Sequence, residues 1–268
     1  MTARVITITS GKGGVGKTTA TANIAVALAS LGKKVVCVDA DIGLRNLDVV
    51  MGLENRIVYD LVDVVEGRCK LRQAMVKDKR VADLYLLPAA QTRDKTAISP
   101  QDMVALTSQL RADFEFILID SPAGIEWGFR NALAPADEVI VVTNPEVSAV
   151  RDADRIIGLI EADPRRLPTS LLLNRIKPEM IRRGDMLSVN DVLEILSTRL
   201  LGVIPEDEHI LISSNRGTPL ALDSERTPAG DAFFNVARRL MGEKVPLIQL
   251  ERKDGWFSRL TRIFGSSK

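Results

Sequence analysis

The first feature of the chain with evident chemistry is a short run of glycines and lysines near its amino end. The run reads Gly11-Lys12-Gly13-Gly14-Val15-Gly16-Lys17-Thr18 and matches the spacing G-x-x-x-x-G-K-[ST] of a phosphate-binding loop. Glycines let successive backbone N–H groups converge on phosphate oxygens, while Lys17 adds a positive charge and Thr18 a hydroxyl for Mg²⁺. The run therefore predicts a nucleotide site. A glycine-rich turn without a ligand is the alternative, and it fits the flanking strand and helix patterns less well.

Three aspartates follow apolar runs that read as buried strands. Asp39 and Asp41 come after residues 35–38, and Asp120 comes after residues 116–119. Ligands of open α/β sheets bind at the carboxyl ends of the strands, so these acids are expected beside the phosphate-binding loop. Any one of them alone would be better explained as a helix cap or a solvated carboxylate. Their joint placement favours a site that handles Mg²⁺ and phosphate.

Strand and helix patterns alternate along the chain around these residues. Residues 4–9 alternate as a strand, residues 18–31 carry a helical pattern, and residues 35–38 read as a second strand, which together make a βαβ unit. This arrangement predicts an α/β fold, a doubly wound and mostly parallel sheet with helices on both faces. We assign residues 1–245 to this domain and residues 246–268 to a separate tail. The other predicted strands are 84–87, 116–119, 139–142, 170–173 and 201–204, and the other predicted helices include 101–111, 149–161, 189–199 and 229–241.

Composition excludes several classes of protein. The 268 residues are 46% hydrophobic and 26% charged, the balance of an ordinary globular protein, and 36 basic residues face 35 acidic ones. Such neutrality provides no general attraction to nucleic acid. Cys37 and Cys69 lack the spacing of a metal site or a disulfide framework. Without a leader pattern or an apolar run of membrane-spanning length, we expect a cytoplasmic protein.

The last segment has the pattern of a basic amphipathic helix. Residues 251–268 contain five basic and two acidic residues. At 100° per residue the bulky apolar side chains share an arc of about 120°. This pattern predicts attachment to an anionic membrane surface, with a helix that packs on the protein's own core or on a partner as the alternatives. The predicted membrane-facing residues are Trp256, Phe257, Leu260, Ile263 and Phe264.

The second lysine of the loop, Lys12, makes the chain resemble the deviant Walker A family of P-loop ATPases. In that family two subunits enclose ATP, and this lysine reaches the phosphate of the partner's nucleotide. The resemblance implies a Mg²⁺-dependent ATPase that forms a homodimer with ATP, in which Lys12, Lys17 and Asp41 are catalytic and Asp41 orients the attacking water. It also implies that Mg²⁺ is held by Thr18, Asp39 and Asp120.

The same resemblance suggests how the base is bound. Family members use an Asn at the end of a later strand and a Pro-containing loop after the next strand, which correspond to Asn174 and to Pro205 with Asp207. The choice of ATP over GTP rests on the resemblance alone. Thr19, at the start of the first helix, and Gly124, in a second switch loop beside the γ-phosphate, complete the expected nucleotide contacts.

Further passages narrow the resemblance to family members that select the division site. It implies the septum inhibitor MinC and the hydrolysis-stimulating MinE as partners, and a location at the inner face of the cell membrane. The expected partner-binding residues are Ser148, Arg151, Asp152 and Asp154. The passages are residues 43–48, 77–80, 88–94, 120–124, 143–148 and 183–188.

Two other functions remain open from the sequence. A DNA-partitioning ATPase of the ParA type shares the loop, and its DNA patch would here be built from Arg165, Arg166, Arg182 and Arg183. An iron–sulfur carrier also shares the loop, but Cys37 within a core strand is badly placed to hold a cluster.

Overall fold

The computed structural model describes residues 3–223 and 225–247. Within those ranges the chain forms an eight-stranded sheet and eleven α-helices. The strands are β1 Arg4–Thr9, β2 Val35–Asp39, β3 Val76–Lys77, β4 Leu84–Leu87, β5 Phe116–Asp120, β6 Glu138–Thr143, β7 Thr169–Ile176 and β8 Arg199–Pro205. The helices are α1 Lys17–Ser30, α2 Leu47–Met51, α3 Leu61–Val65, α4 Leu71–Ala74, α5 Pro100–Leu110, α6 Trp127–Leu133, α7 Val147–Glu161, α8 Pro178–Arg183, α9 Val189–Leu196, α10 Glu208–Asn215 and α11 Pro228–Leu240.

The sheet has the strand order β3-β4-β2-β5-β1-β6-β7-β8. Only the β3–β4 pair at one edge is antiparallel, and the other neighbouring strands are parallel. Parallel neighbours need crossover connections, which the intervening helices supply. The predicted fold class is thereby confirmed. The arrangement puts the carboxyl ends of β2, β5, β1 and β7 at one edge, where the polar residues singled out above follow the strands.

Apolar cores lie on both faces of the sheet, as strand alternation requires. On β1, Ile6 and Ile8 point into a core shared with α1 and α11, whereas Val5 points into a second core shared with α5. Helix α1 is buried from Ala20 to Ala29, which explains why its sequence is Ala-rich and lacks a charged face. This burial holds the amino end of α1, and with it the phosphate-binding loop, against the sheet.

The structure differs from the sequence predictions in several places, including the helices α2, α3, α4, α6, α8 and α10, which the sequence patterns did not single out. The helix predicted over 189–199 ends at Leu196, because Ser197 has a left-handed φ of 46° and the chain then enters β8 at Arg199. There Arg199 pairs with Ser170 of β7, so sheet pairing takes over residues that an isolated pattern assigns to a helix. The two-residue strand β3 was not predicted, since it is too short to show alternation.

The membrane-facing residues predicted in the tail lie outside the described residues. These are Trp256, Phe257, Leu260, Ile263 and Phe264. The boundary between residues 245 and 246 therefore stays a prediction. Within residues 3–223 and 225–247, no helix is both long and apolar enough to cross a membrane.

Candidate nucleotide-binding site

The phosphate-binding loop joins β1 to α1, as predicted, and its backbone conformation depends on Gly16. Gly16 has a φ of 99°, and a Cβ atom there would lie 2.4 Å from Nδ2 of Asn174. That amide group donates to the carbonyl of Val15 at 2.7 Å. Only glycine combines this φ with this close approach. The loop is thus fixed against β7, and its backbone stays open towards the adjoining cleft.

Lys17 is the buried cation of the site. Lys17 is only 8% exposed. Burial lowers the pKa of its ammonium group, while the negative charges of Asp120 and Asp41 raise it. It lines a cleft of about 470 Å³ together with Thr18, Asp41 and the segment that begins at Ser121. A positive group held among backbone N–H donors at a helix start fits an anionic phosphate.

Asp120, at the end of β5, is buried behind the loop. Its Oδ1 accepts a hydrogen bond from Oγ1 of Thr21 at 3.1 Å. Burial raises the pKa of Asp120 to about 6, even though the Thr18 hydroxyl and the charge of Lys17 lower it. The Thr18 hydroxyl and this carboxylate are the hard oxygen donors that Mg²⁺ prefers, so the residues present fit that ion.

Asp39 lies opposite Asp120 in the β2–β5 register. Its two oxygens accept the backbone N–H groups of Asp41 at 3.0 Å and Leu47 at 3.2 Å. Burial, and then the neighbouring charge of Asp120, raise the pKa of Asp39 well above its usual range. In this structure Asp39 therefore braces the loop between β2 and α2, and its contact with Mg²⁺ stays a prediction.

Asp41 faces the phosphate cleft from that braced loop. It is half-buried; burial raises its pKa, and the charges of Lys95 and Lys17 oppose the rise. Lys95 and Arg175 also line the cleft, and the sequence analysis missed both. Neither belongs to a motif. Arg175 has one structural signal, a left-handed φ of 57° at an irregularity of β7, but this signal is invisible before folding.

Lys12 is on the exposed side of the loop. Its Nζ lies 3.2 Å from Oγ of Ser148 and 3.6 Å from a carboxylate oxygen of Glu146, at the start of α7. Gly11 packs on the same helix, since a Cβ there would be 2.2 Å from the carbonyl oxygen of Asp152. The structure thus brings the predicted partner-binding residues Ser148 and Asp152 next to the loop. Arg151 and Asp154 lie exposed on the same helix.

A second cleft, of about 1220 Å³, opens on the other side of Gly16 and Thr19. It is lined by Asn174, Pro205 and Asp207, the residues predicted to contact the base. Oδ1 of Asn174 is buried and accepts no hydrogen bond within residues 3–223 and 225–247. A buried acceptor without a donor is costly, and a ligand N–H group, such as the amino group of adenine, can satisfy it once the side chain moves enough to expose this oxygen.

Two groups predicted to contact the nucleotide, the Asp207 side chain and the Gly124 N–H, instead make hydrogen bonds within the chain. Asp207 caps α10 and accepts from the backbone N–H and ring Nδ1 of His209 at 3.0 and 2.8 Å. Burial raises the pKa of Asp207, but the hydrogen bonds from His209 outweigh it, and the pKa is lowered. The backbone N–H of Gly124 donates to the carbonyl of Ser10 at 3.1 Å, so a contact with a γ-phosphate requires that bond to open.

The family of the chain follows from its similarity to known proteins. A family model described as an AAA domain matches residues 3–171. The septum site-determining protein MinD of Bacillus subtilis is 54% identical over 262 residues, which are 97% of this chain and 97% of that protein. The chain belongs to the MinD family.

Solved structures of other MinD proteins have the same fold. The MinC:MinD cell division complex of Aquifex aeolicus contains a chain that superposes with a TM-score of 0.85 at 52% identity, covering 92% of this chain and 99% of that one. MinD of Pyrococcus horikoshii, solved with Mg-ADP, gives a TM-score of 0.80 at 32% identity, covering 89% and 96%. The chain is therefore a P-loop ATPase of the MinD family.

Proposed function

We propose that this chain is an ATP-driven switch of division-site selection. The observation that carries the proposal is the convergence of Lys17, Thr18 and Asp41 on one cleft, with Asp120 buried behind them. Beside it lies a base cleft where Oδ1 of Asn174 has no hydrogen-bond partner among residues 3–223 and 225–247. Phosphoryl transfer depends mainly on positioning and charge stabilisation, and these residues can supply both.

Each residue has a distinct task in the proposed ATPase. Lys17 and the loop N–H groups hold the phosphates, and Asp41 orients the water that attacks the γ-phosphate. Thr18 and Asp120 hold Mg²⁺, with Asp39 behind them as a further acidic neighbour. When bound, the ion neutralises charge on the β- and γ-phosphates. Asn174, Thr19, Pro205 and Asp207 surround the base and the ribose.

ATP binding is proposed to join two copies of the chain. The contacts of Lys12 with Ser148 and Glu146 are exposed, and such pairs are worth about 1 kcal/mol or less. Lys12 can therefore leave them at little cost to reach the phosphate of a partner's nucleotide. ATP then forms part of the homodimer interface, and hydrolysis removes that link.

The dimer is proposed to control membrane attachment. A single short amphipathic helix binds an anionic bilayer weakly, whereas two linked helices bind with a high effective concentration. We therefore place the protein in the cytoplasm, peripheral to the inner face of the cell membrane while ATP is bound. Residues 246–268 supply this anchor.

MinC and MinE are the proposed partners. The solved Aquifex aeolicus relative is a MinC:MinD complex. In this chain, the exposed face of α7 with Ser148, Arg151, Asp152 and Asp154 is the proposed docking surface for both. Because Ser148 contacts Lys12, a partner on this face can act on the nucleotide site. We propose that MinC is recruited to the membrane and that MinE stimulates hydrolysis and release.

Vesicle co-sedimentation tests this function directly. The full chain should bind vesicles that contain anionic lipid when ATP is present and remain in the supernatant with ADP. A chain that ends at Leu250 should remain in the supernatant with either nucleotide. ATP-dependent binding that survives the truncation would refute the role of the tail.

A DNA-partitioning ATPase of the ParA type is the alternative. Three of the four arginines of its predicted patch have acidic neighbours: Arg165 contacts Asp163 at 2.7 Å, Arg183 contacts Asp185 at 2.9 Å, and Arg182 lies 3.9 Å from Glu179. Arginines paired in this way offer less free charge to DNA. Retention on nonspecific DNA with ATP, lost at raised salt, would favour this alternative.

A further inference from the structure

Asp78 and Arg80 form a tightly paired cluster just after β3, although neither residue lines the nucleotide clefts. Asp78 is 1% exposed. Its carboxylate accepts Nε of Arg80 at 3.0 Å and Nη2 at 2.7 Å, and also the backbone N–H of Arg80 at 2.8 Å. This two-pronged contact fixes the plane of the guanidinium group, which a lysine ammonium would not do.

The remaining donors of Arg80 go to the ends of two helices. Nη1 donates to the carbonyl of Gly217 at 2.8 Å, and Nη2 donates to the carbonyl of Met51. Met51 is the last residue of α2, and Gly217 follows the end of α10 by two residues. The carbonyl of Met51, in the last turn of α2, lacks a partner within its helix, and the carbonyl of Gly217 lies in the turn that follows α10, so a guanidinium group can join the two segments.

The two helix ends also touch directly. Gly52 and Gly217 have left-handed φ angles of 63° and 62°. A Cβ atom on Gly52 would lie 2.3 Å from the carbonyl oxygen of Gly217, and one on Gly217 would lie 2.6 Å from Cα of Gly52. The contact is therefore made between backbones, with no flexible side chain to absorb a shift.

The opposite ends of these helices reach the two halves of the nucleotide site. Helix α2 begins at Leu47, whose N–H group is held by Asp39, and Asn46 just before it lines the phosphate cleft; Val50, near the joined end, lines the same cleft. Helix α10 begins after Asp207 and lines the base cleft. A change in the spacing of the joined ends therefore moves one wall of each cleft.

We propose that Arg80, oriented by Asp78, is a positioning residue that couples the phosphate wall to the base wall. This proposal rests on the proposed function, because it takes the two clefts to hold one nucleotide. Without Arg80, the two ends keep only the contact between Gly52 and Gly217, so the walls are joined less firmly and the arrangement that grips both ends of the nucleotide is populated only part of the time. Apparent affinity falls by that fraction.

The test compares Arg80→Ala and Arg80→Lys with Arg72→Ala as a matched control. Arg72 also pairs with an aspartate, Asp113 at 3.1 Å, but at an exposed site outside both clefts. ADP affinity is measured with Mg²⁺ by isothermal titration calorimetry. If the gripping arrangement is populated about a tenth of the time, Arg80→Ala weakens ADP binding about tenfold. Arg80→Lys, which keeps the charge but not the fork, recovers part of that loss, and Arg72→Ala binds as the parent does.

Two further measurements separate positioning from simple stability. For ATP hydrolysis, KM should rise in Arg80→Ala while kcat stays within about twofold, because saturating nucleotide restores the arrangement. Hydrogen exchange without nucleotide should become faster in both α2 and α10.

Different outcomes identify different failures. If both Arg80 variants lower the melting temperature but bind ADP with the parent's affinity, Arg80 is only a structural residue and the proposal is overturned. If Arg80→Ala does not fold, Arg80→Lys decides by the same criteria. If the parent and Arg72→Ala bind no ADP, the proposed function itself fails, and the coupling fails with it.

Discussion

At the scale of single residues, the site is dominated by aspartates whose pKa values are raised by burial. Asp39 and Asp120 face each other across β2 and β5, and both carboxyl groups are nearly inaccessible. Two ionised carboxylates on neighbouring strands repel each other, and the buried protein interior screens that repulsion poorly. Lys17 and the hydroxyls of Thr18 and Thr21 offset part of that cost at Asp120. The repulsion that remains suits a site that receives a cation.

The pH dependence of stability follows from the raised pKa of Asp120. In the folded chain that pKa is about 6, above the usual value of an aspartate, so this group favours folding below its unfolded-state pKa. That contribution is lost as the pH rises through the folded-state value. Without nucleotide and with a chelator present, Asp120→Asn should therefore gain about 1 kcal/mol more stability at high pH than at low pH.

Urea denaturation of the parent and of Asp120→Asn, at about pH 5 and about pH 7.5, measures this difference. Asp113→Asn is the control, since Asp113 lies at an exposed ion pair outside the site. A gain for Asp120→Asn that is the same at both pH values would contradict the raised pKa.

At the scale of elements, the starts of α5 and α9 are fixed by local capping chemistry. Helix α5 begins after Ser99, whose Oγ accepts the backbone N–H of Asp102 at 3.2 Å, while Asp102 accepts the backbone N–H of Ser99 at 2.9 Å. This reciprocal pair satisfies two donors that the helix cannot satisfy itself. The short helix α9 starts in the same way at Ser188.

Removing the cap of α5 should cost stability without touching nucleotide binding. Ser99→Ala is expected to lower the free energy of unfolding by about 1 kcal/mol, because it leaves a backbone donor unpaired. Ser108→Ala, on the same helix with an exposed hydroxyl bonded to the carbonyl of Val104, should stay within about 0.5 kcal/mol of the parent. Chemical denaturation measures both. ADP affinity should be unchanged, since α5 lines neither cleft, and a loss of affinity would show that the helix supports the site.

At the scale of the whole molecule, the exposed position of Lys12 is the feature that matters. The loop places Lys17 in the phosphate cleft and Lys12 on its exposed side. In the proposed dimer, one motif therefore contacts both its own nucleotide and that of the partner. The surface around Lys12 includes the start of α7, which is also the proposed docking face. Nucleotide state, dimerisation and partner binding are therefore proposed to share one surface.

Dimerisation can be followed by sedimentation velocity with a non-hydrolysable ATP analogue. The parent is expected to sediment as a dimer with the analogue and as a monomer with ADP, whereas Lys12→Ala should remain a monomer with both. Lys34→Ala removes another exposed lysine and should behave as the parent does. Stability of Lys12→Ala should change by no more than about 0.5 kcal/mol, because only exposed contacts are lost. A Lys12→Ala dimer with the analogue would exclude the proposed role of this lysine.

The class of fold, the phosphate-binding loop and the positions of Asp39, Asp41 and Asp120 after their strands could be predicted from the order of residues alone. These features are encoded locally: the glycine spacing sets one loop, and the periodicity of apolar residues sets each strand and most long helices. The overlong helix at 189–199 shows the limit of such patterns. There, pairing of β8 with β7 overrode the local preference.

Which distant groups meet became visible only in the folded molecule. Four placements depend on strand order and on the paths of loops. They are Lys95 near Asp41, Arg175 between the two clefts, Lys12 against the start of α7, and Arg80 between two helix ends. Such contacts join residues far apart in the chain, and no spacing rule connects them. Their positions are fixed by the packing of the sheet and its helices, which the chain acquires only when it folds.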